Sequence, residues 1–336
     1  MDPVMPPPVS RRALLRAAAL TGGALVLAAC EDTPADRVSP TDGVEPDDPA
    51  TWPADTALLI SARQRLHGYR LGLEAVGTGS SSVAKDLDRL WRAQQERLEL
   101  LVTLGGVPLP ELADRPAVTR AADTSSATAD PSDATSSPTA DAPKASDLGR
   151  VLRADRTEAC RELSTATPAN LLLLASLTAQ HVASAARLGA RVEWEPMGGP
   201  AGAAAVPVLA AARPAVFGLE VVAARSAAGS DERAAYEAVL EPLQGLTRQL
   251  STLAGAAAPV APLGYDLPEP LESVEERREL ARALVADLAP AALDAAQRVP
   301  GDLAQLSGVV QVVSDATVWL ARLGGRTQPF PGMTLP

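Results

Sequence analysis

The chain carries only two histidines, His67 and His181, and two cysteines, Cys30 and Cys160, so metal or acid–base chemistry has few places to sit. A di-metal centre in a helical bundle takes an inward Glu from each of two helices and a Glu-x-x-His pair from each of the other two. That i, i+3 spacing sets carboxylate and imidazole on one helix face. Three residues before His67 stands Gln64, and three before His181 stands Thr178, so neither histidine forms such a pair. His67 lies between Arg63 and Arg70 and reads as a surface residue. His181 falls at an inward helical position beside Gln180. Tyr69 and Gln94 fall at similar positions on two earlier helices, and Glu158 or Glu162 can approach from a third. Together they outline a polar pocket or a weak metal site. The simpler reading is a hydrogen-bonded core histidine, since zinc sites need three or four good ligands. Cys160, alone on an Ala-rich helix, reads as a small buried apolar residue. No residue is assigned a catalytic role, and no cofactor is assigned.

The elements that would position these residues are helices, because apolar residues recur at steps of three and four almost throughout residues 55–324. Leu59, Ala62, Leu66, Tyr69, Leu73 and Val76 predict a helix over 55–76; Gly77-Thr78-Gly79 ends it, and Ser80 to Ser82 caps the next. That second helix carries Leu87, Trp91, Leu98 and Leu101 and stops at Gly105-Gly106. Residues 113–146 hold Val118 but no Leu, Ile or aromatic residue, and read as a disordered insertion. A third helix follows over 147–164, and Thr167-Pro168 opens a fourth that reaches 188. After the connector "RVEWEPMGGPAG", the pattern predicts helices over 204–227 and 231–254, the latter kinked at Pro242. A seventh opens with a Ser273–Glu276 capping box and is bent or broken at Pro290; an eighth covers 302–324. The predicted fold class is all-α: two tandem antiparallel four-helix bundles, over 55–190 and 203–326, with a tail at 327–336.

The first residues read as an address. Ser10-Arg11-Arg12 begins a charged stretch, Ala17 to Ala29 is uncharged, and Cys30 follows. Those residues span about 20 Å as a helix, too short for a hydrocarbon core of about 30 Å, so residues 1–29 read as a signal peptide. Leu27-Ala28-Ala29-Cys30 resembles a bacterial lipobox, with Cys30 as the lipidated residue. Arg11 and Arg12 resemble the twin-arginine export motif, with Leu14 and Arg16 in place of its usual Phe and Lys. Residues 30–54 read as a disordered acidic tether. Once Cys30 is lipidated, Cys160 has no partner for an intrachain disulfide. A net charge of −11 with no basic stripe excludes a nucleic-acid binder. A nucleophile elbow, a P-loop and a Cys-x-x-Cys pair are missing from the sequence, and "GTGSSS" lacks the third glycine and preceding strand of a dinucleotide loop.

Three segments, "PAVFGLEVVAARS" (214–226), "APLGYDLPEP" (261–270) and "QPFPGM" (328–333), make residues 205–333 resemble an exported ferritin-like family of unknown function found as lipoproteins of high-GC bacteria. The resemblance implies a four-helix bundle. Where the family opens its first helix with a Glu-His pair, this chain has Ala212 and Arg213. Glu220, Glu237, Glu241, Glu272, Glu275 and Glu279 read as solvated helix faces with arginine neighbours. The sequence therefore points to a lipoprotein anchored through Cys30 to the outer face of the cell membrane. There it binds or scaffolds an unidentified protein or small-molecule partner without catalysis. The alternative is a metal- or cofactor-binding protein or oxidoreductase using the His181 region, and a third reading is a structural spacer.

Overall fold

The computed structural model describes residues 49–77, 81–118 and 143–334. The export signal, Arg11, Arg12, Cys30, most of the acidic tether and residues 119–142 of the insertion lie outside the described residues. Those described are helical, with no strand among them. The helices are α1 (Thr56–Ala75), α2 (Ser82–Leu104), α3 (Ala145–Leu163), α4 (Pro168–Arg187), α5 (Ala205–Arg225), α6 (Asp231–Ala254), α7 (Val274–Ala286), α8 (Leu288–Ala296) and α9 (Leu303–Arg322).

Local chemistry sets most of the boundaries. The Ser81 hydroxyl accepts from the Ala84 amide and that of Ser230 from the Arg233 amide. Ser273 accepts from the Glu276 amide while the Glu276 carboxylate accepts from that of Ser273, closing the capping box. The break before Pro290 falls at Asp287, between α7 and α8. A proline lacks the N–H that would bond back four residues, so the helix gives way one turn earlier. By contrast α6 runs through Pro242 unbroken. The start of α4 departs from the sequence reading. Pro168 opens it, but the Thr167 side chain does not cap it. The Asp55 carboxylate, from the start of α1, accepts from the Thr167 amide and the Asn170 side-chain amide, both at 3.0 Å, and from the Thr167 hydroxyl.

Two features of the organisation go beyond the sequence reading. The described ends of the 113–146 insertion are part of the fold. Ala117 and Val118 are buried, and a Cβ on Gly72 would meet Leu148 at 2.9 Å and Ala117 at 3.7 Å, so the described start of the insertion and the first turn of α3 pack on α1 at that glycine. Both sets of helices lie within one compact unit, residues 46–336. Within it α1 packs on α2, α3 on α4, α5 on α6, and α8 on α9, while α4 and α9 join the sets by packing on each other. Both are apolar on more than one face. In α4 every residue from Leu173 to Ala185 is buried, and α9 buries residues on several sides. The stretch Gly202–Arg225 and helix α9 are each long and apolar enough to cross a membrane, but both pack into this unit.

Candidate functional site

Helices α1 to α4 bring most of the expected pocket residues together around His181. The imidazole is buried, and its Nε2 lies 3.2 Å from the Gln94 side-chain oxygen. The Gln94 amide donates to the Gln180 side-chain oxygen at 3.1 Å and to the Pro329 carbonyl. With both its N–H groups engaged in this way, Gln94 presents only an acceptor, so His181 Nε2 is the protonated nitrogen. The Tyr69 ring stands edge-on to the imidazole with centroids 5.2 Å apart, and its hydroxyl donates to Asp155 Oδ2 at 2.7 Å. Arg65 forks onto Glu162 through contacts of 2.8 and 2.6 Å, and the Ser61 hydroxyl donates to the same carboxylate at 2.8 Å.

Arg65, Tyr69, Asp155, Glu162 and His181 line a cavity of about 20 Å³, room for roughly one water and too little for an organic cofactor. Burial, helped by the Arg65 charge, pushes the His181 pKa down to about 3, so the ring is neutral at any physiological pH. Burial alone would raise the Glu162 carboxyl, but hydrogen bonds from Arg65 and Ser61 and the Arg65 charge hold it below the ordinary range. The carboxylates near His181 are thus engaged: Glu162 by Arg65 and Ser61, Asp155 by Tyr69. Glu158 does not reach the pocket; it is exposed on the outer face of α3 and pairs with Arg161. No group of three or more His, Cys, Asp or Glu side chains placed to hold a metal occurs among the described residues. What the arrangement does well is fix a polar seam: α2, α4 and the C-terminal tail meet at Gln94, and Ser176 donates to the Pro331 carbonyl at 2.8 Å.

The remaining residues singled out from sequence fall as follows. His67 is only part-exposed, and residue Asp114 of the insertion comes to 3.3 Å of its Nε2. Cys160 is buried, which raises its thiol pKa, and it bonds with Ser307. Ala212 is fully buried, Arg213 donates to the Pro259 carbonyl, and exposed Glu220 accepts from Gln244 at 2.9 Å.

Two polar groups escaped the sequence reading. Glu232 and Arg277 form a forked pair at 2.8 and 2.9 Å with side chains only 9% exposed, and Tyr236 donates to the same carboxylate at 3.0 Å. The Arg277 hydrogen bonds hold the Glu232 carboxyl below the ordinary range. Burial, reinforced by Glu232, raises the Tyr236 phenol. The i, i+4 spacing of Glu232 and Tyr236 was the available signal. The second is Asp315, part-buried on α9 and hydrogen-bonded to Trp194 and Gln311; burial pushes its pKa up to about 7. It is the single charged residue of α9 before Arg322, a lone acid on an apolar helix. No protein-family model, curated protein or solved structure matches the chain.

Proposed function

We propose that this chain is an exported lipoprotein, anchored through Cys30 at the outer face of the cell membrane, that binds or scaffolds a partner and carries out no reaction at His181. Its helices 205–333 are read as a ferritin-like bundle without that fold's metal ligands, in tandem with a bundle over 55–190. One observation carries the non-catalytic part: the buried imidazole donates to Gln94 beside a cavity the size of one water, and its carboxylate neighbours are tied to Arg65, Ser61 and Tyr69. A general base needs a free lone pair at a substrate, with a pKa near the working pH, and burial holds this ring at about 3.

The test expresses the full chain in a bacterium with a lipoprotein export route. Membrane fractionation and fatty-acid labelling of the wild type are compared with those of Cys30→Ser, and the purified protein is taken through elemental analysis. The expected outcome is a labelled, membrane-bound wild type, an unlabelled soluble variant, and no stoichiometric transition metal. Stoichiometric iron, manganese or zinc that disappears in His181→Ala overturns the non-catalytic reading. Equal labelling of Cys30→Ser overturns the anchor.

A further inference from the structure

Residues 191–200, between α4 and α5, lie against α3 and α9 and enclose a pocket of about 440 Å³, inside the range of roughly 300–1,000 Å³ typical of small-molecule sites. Trp194 and Met197 from the connector and Leu303 and Ala304 from α9 supply its apolar walls, and Ser307 and Gln311 line α9 below them. The Trp194 wall is fixed from two sides. Its indole is hydrogen-bonded to Asp315, and the Arg156 guanidinium lies 4.6 Å above its ring. Arg156 is held in turn by one hydrogen bond, from Nη1 to the Glu193 carbonyl at 2.8 Å. The connector cannot drift from α9, because Gly199 packs against Gln305 and the Gly199 carbonyl sits where a Cβ on Gly308 would be.

The polar groups of this pocket are unevenly committed. Ser307 bonds with Cys160, and Gln311 with Asp315. Arg161 pairs with Glu158. Arg156 has no carboxylate within ion-pair distance among the described residues, and it lines the pocket beside Trp194. Glu195 is the one acid on the rim, and it is exposed. A sugar or nucleotide would need several free donors and acceptors, and Ser307 and Gln311 are already engaged. A cationic ligand would meet two guanidiniums. An anion with a flexible apolar body meets one preorganised fork and a channel of Met, Leu and Trp.

We propose that this pocket binds a single-chain fatty carboxylate, with its headgroup on Arg156 and its chain along Trp194, Met197 and Leu303. The inference rests on the binding-protein reading above and names its ligand; it does not depend on the lipid anchor.

The experiment titrates the full chain with laurate below its micelle concentration, following tryptophan fluorescence and binding heat. The expected result is saturable one-site binding, weakened about ten- to a hundredfold by Arg156→Gln. Ala304→Phe fills the pocket from an exposed position and abolishes binding with Arg156 intact. Dodecyltrimethylammonium, with the same chain length and the opposite charge, does not compete. Absence of saturable laurate binding by the folded protein overturns the proposal, as does laurate binding unchanged in both variants or equal binding of the cationic amphiphile. A protein that fails here yet labels at Cys30 and holds no metal loses this ligand while the reading above stands.

Discussion

Replacing Asp315 by Asn removes from α9 a carboxyl whose pKa burial has raised from 3.8 to about 7. The folded protein takes up that proton near pH 7, the unfolded chain only near 3.8. Between those values the folded state holds more protons, so this group adds stability as pH falls and loses it as pH rises toward 7. His181 works the other way. Its ordinary value of 6.5 is depressed to about 3, first by burial and then by Arg65, with Tyr69, Asp155 and Glu162 lining the same cavity. The unfolded chain becomes protonated below 6.5 while the folded protein does not, so His181 withdraws stability as pH falls. Each slope is about 1.4 kcal/mol per pH unit, with opposite sign. Across pH 6.5 to 4.5 the two nearly cancel in the wild type. The lower bound matters, because below about 4.5 carboxyls held low by hydrogen bonds and arginines, such as Glu162 and Glu99, begin their own acid loss.

The assay is urea unfolding followed by far-UV circular dichroism at a series of pH values. Asp315→Asn is expected to lose roughly 2–3 kcal/mol between the two ends of the window, and His181→Gln to gain a similar amount over the same range. The quantity read is the pH dependence, so a uniform destabilisation by either substitution does not interfere. Curves for Asp315→Asn and wild type that run parallel through the window refute the reasoning.

Four further outcomes follow from ion pairing, packing and capping. Arg277→Met leaves the Glu232 carboxylate enclosed without its partner and should cost about 3 kcal/mol or more. Asp294→Asn, which breaks an exposed pair with Arg298, should stay within about 0.5 kcal/mol by urea midpoint. Gly308→Ala forces the Gly199 carbonyl off α9, with an expected loss of about 1–3 kcal/mol and a red shift of Trp194 emission as the connector lifts. Asp55→Ala leaves the Thr167 amide at the start of α4 without its acceptor; a loss of about 1–2 kcal/mol is expected, with faster hydrogen exchange at that amide.

What was legible in the sequence is what neighbours in sequence decide. Ser81, Ser230 and the Ser273–Glu276 box start their helices because each partner lies three residues away, and Pro290 breaks its helix within one turn. Helical period places His181, Gln94 and Tyr69 inward, with Gln180 next to His181, and the structure brings these residues together. Partners distant in sequence were out of reach: Asp55 capping α4, the Pro329 carbonyl completing Gln94, and Arg277 reaching Glu232. Period also says which face of a helix is apolar but not which other apolar face it meets. That is why α4 and α9 were assigned to separate bundles, although each is apolar on more faces than one hairpin neighbour can cover.

The seam between those two helices has its own logic. Ahead of their terminal arginines, α4 and α9 each carry a single titratable residue, His181 and Asp315, on otherwise apolar, Ala- and Val-rich surfaces. His181 finds its acceptor on α2, and Asp315 finds its indole donor in the connector, both outside the helix that carries it. In a shifted packing each would lie in apolar surroundings without its partner, at a cost of about 1–3 kcal/mol apiece. The two groups thus act as register marks for the central helix pair. Gln94 extends the first mark to the C-terminal tail, so the last described segment can settle only when α2 and α4 are already aligned.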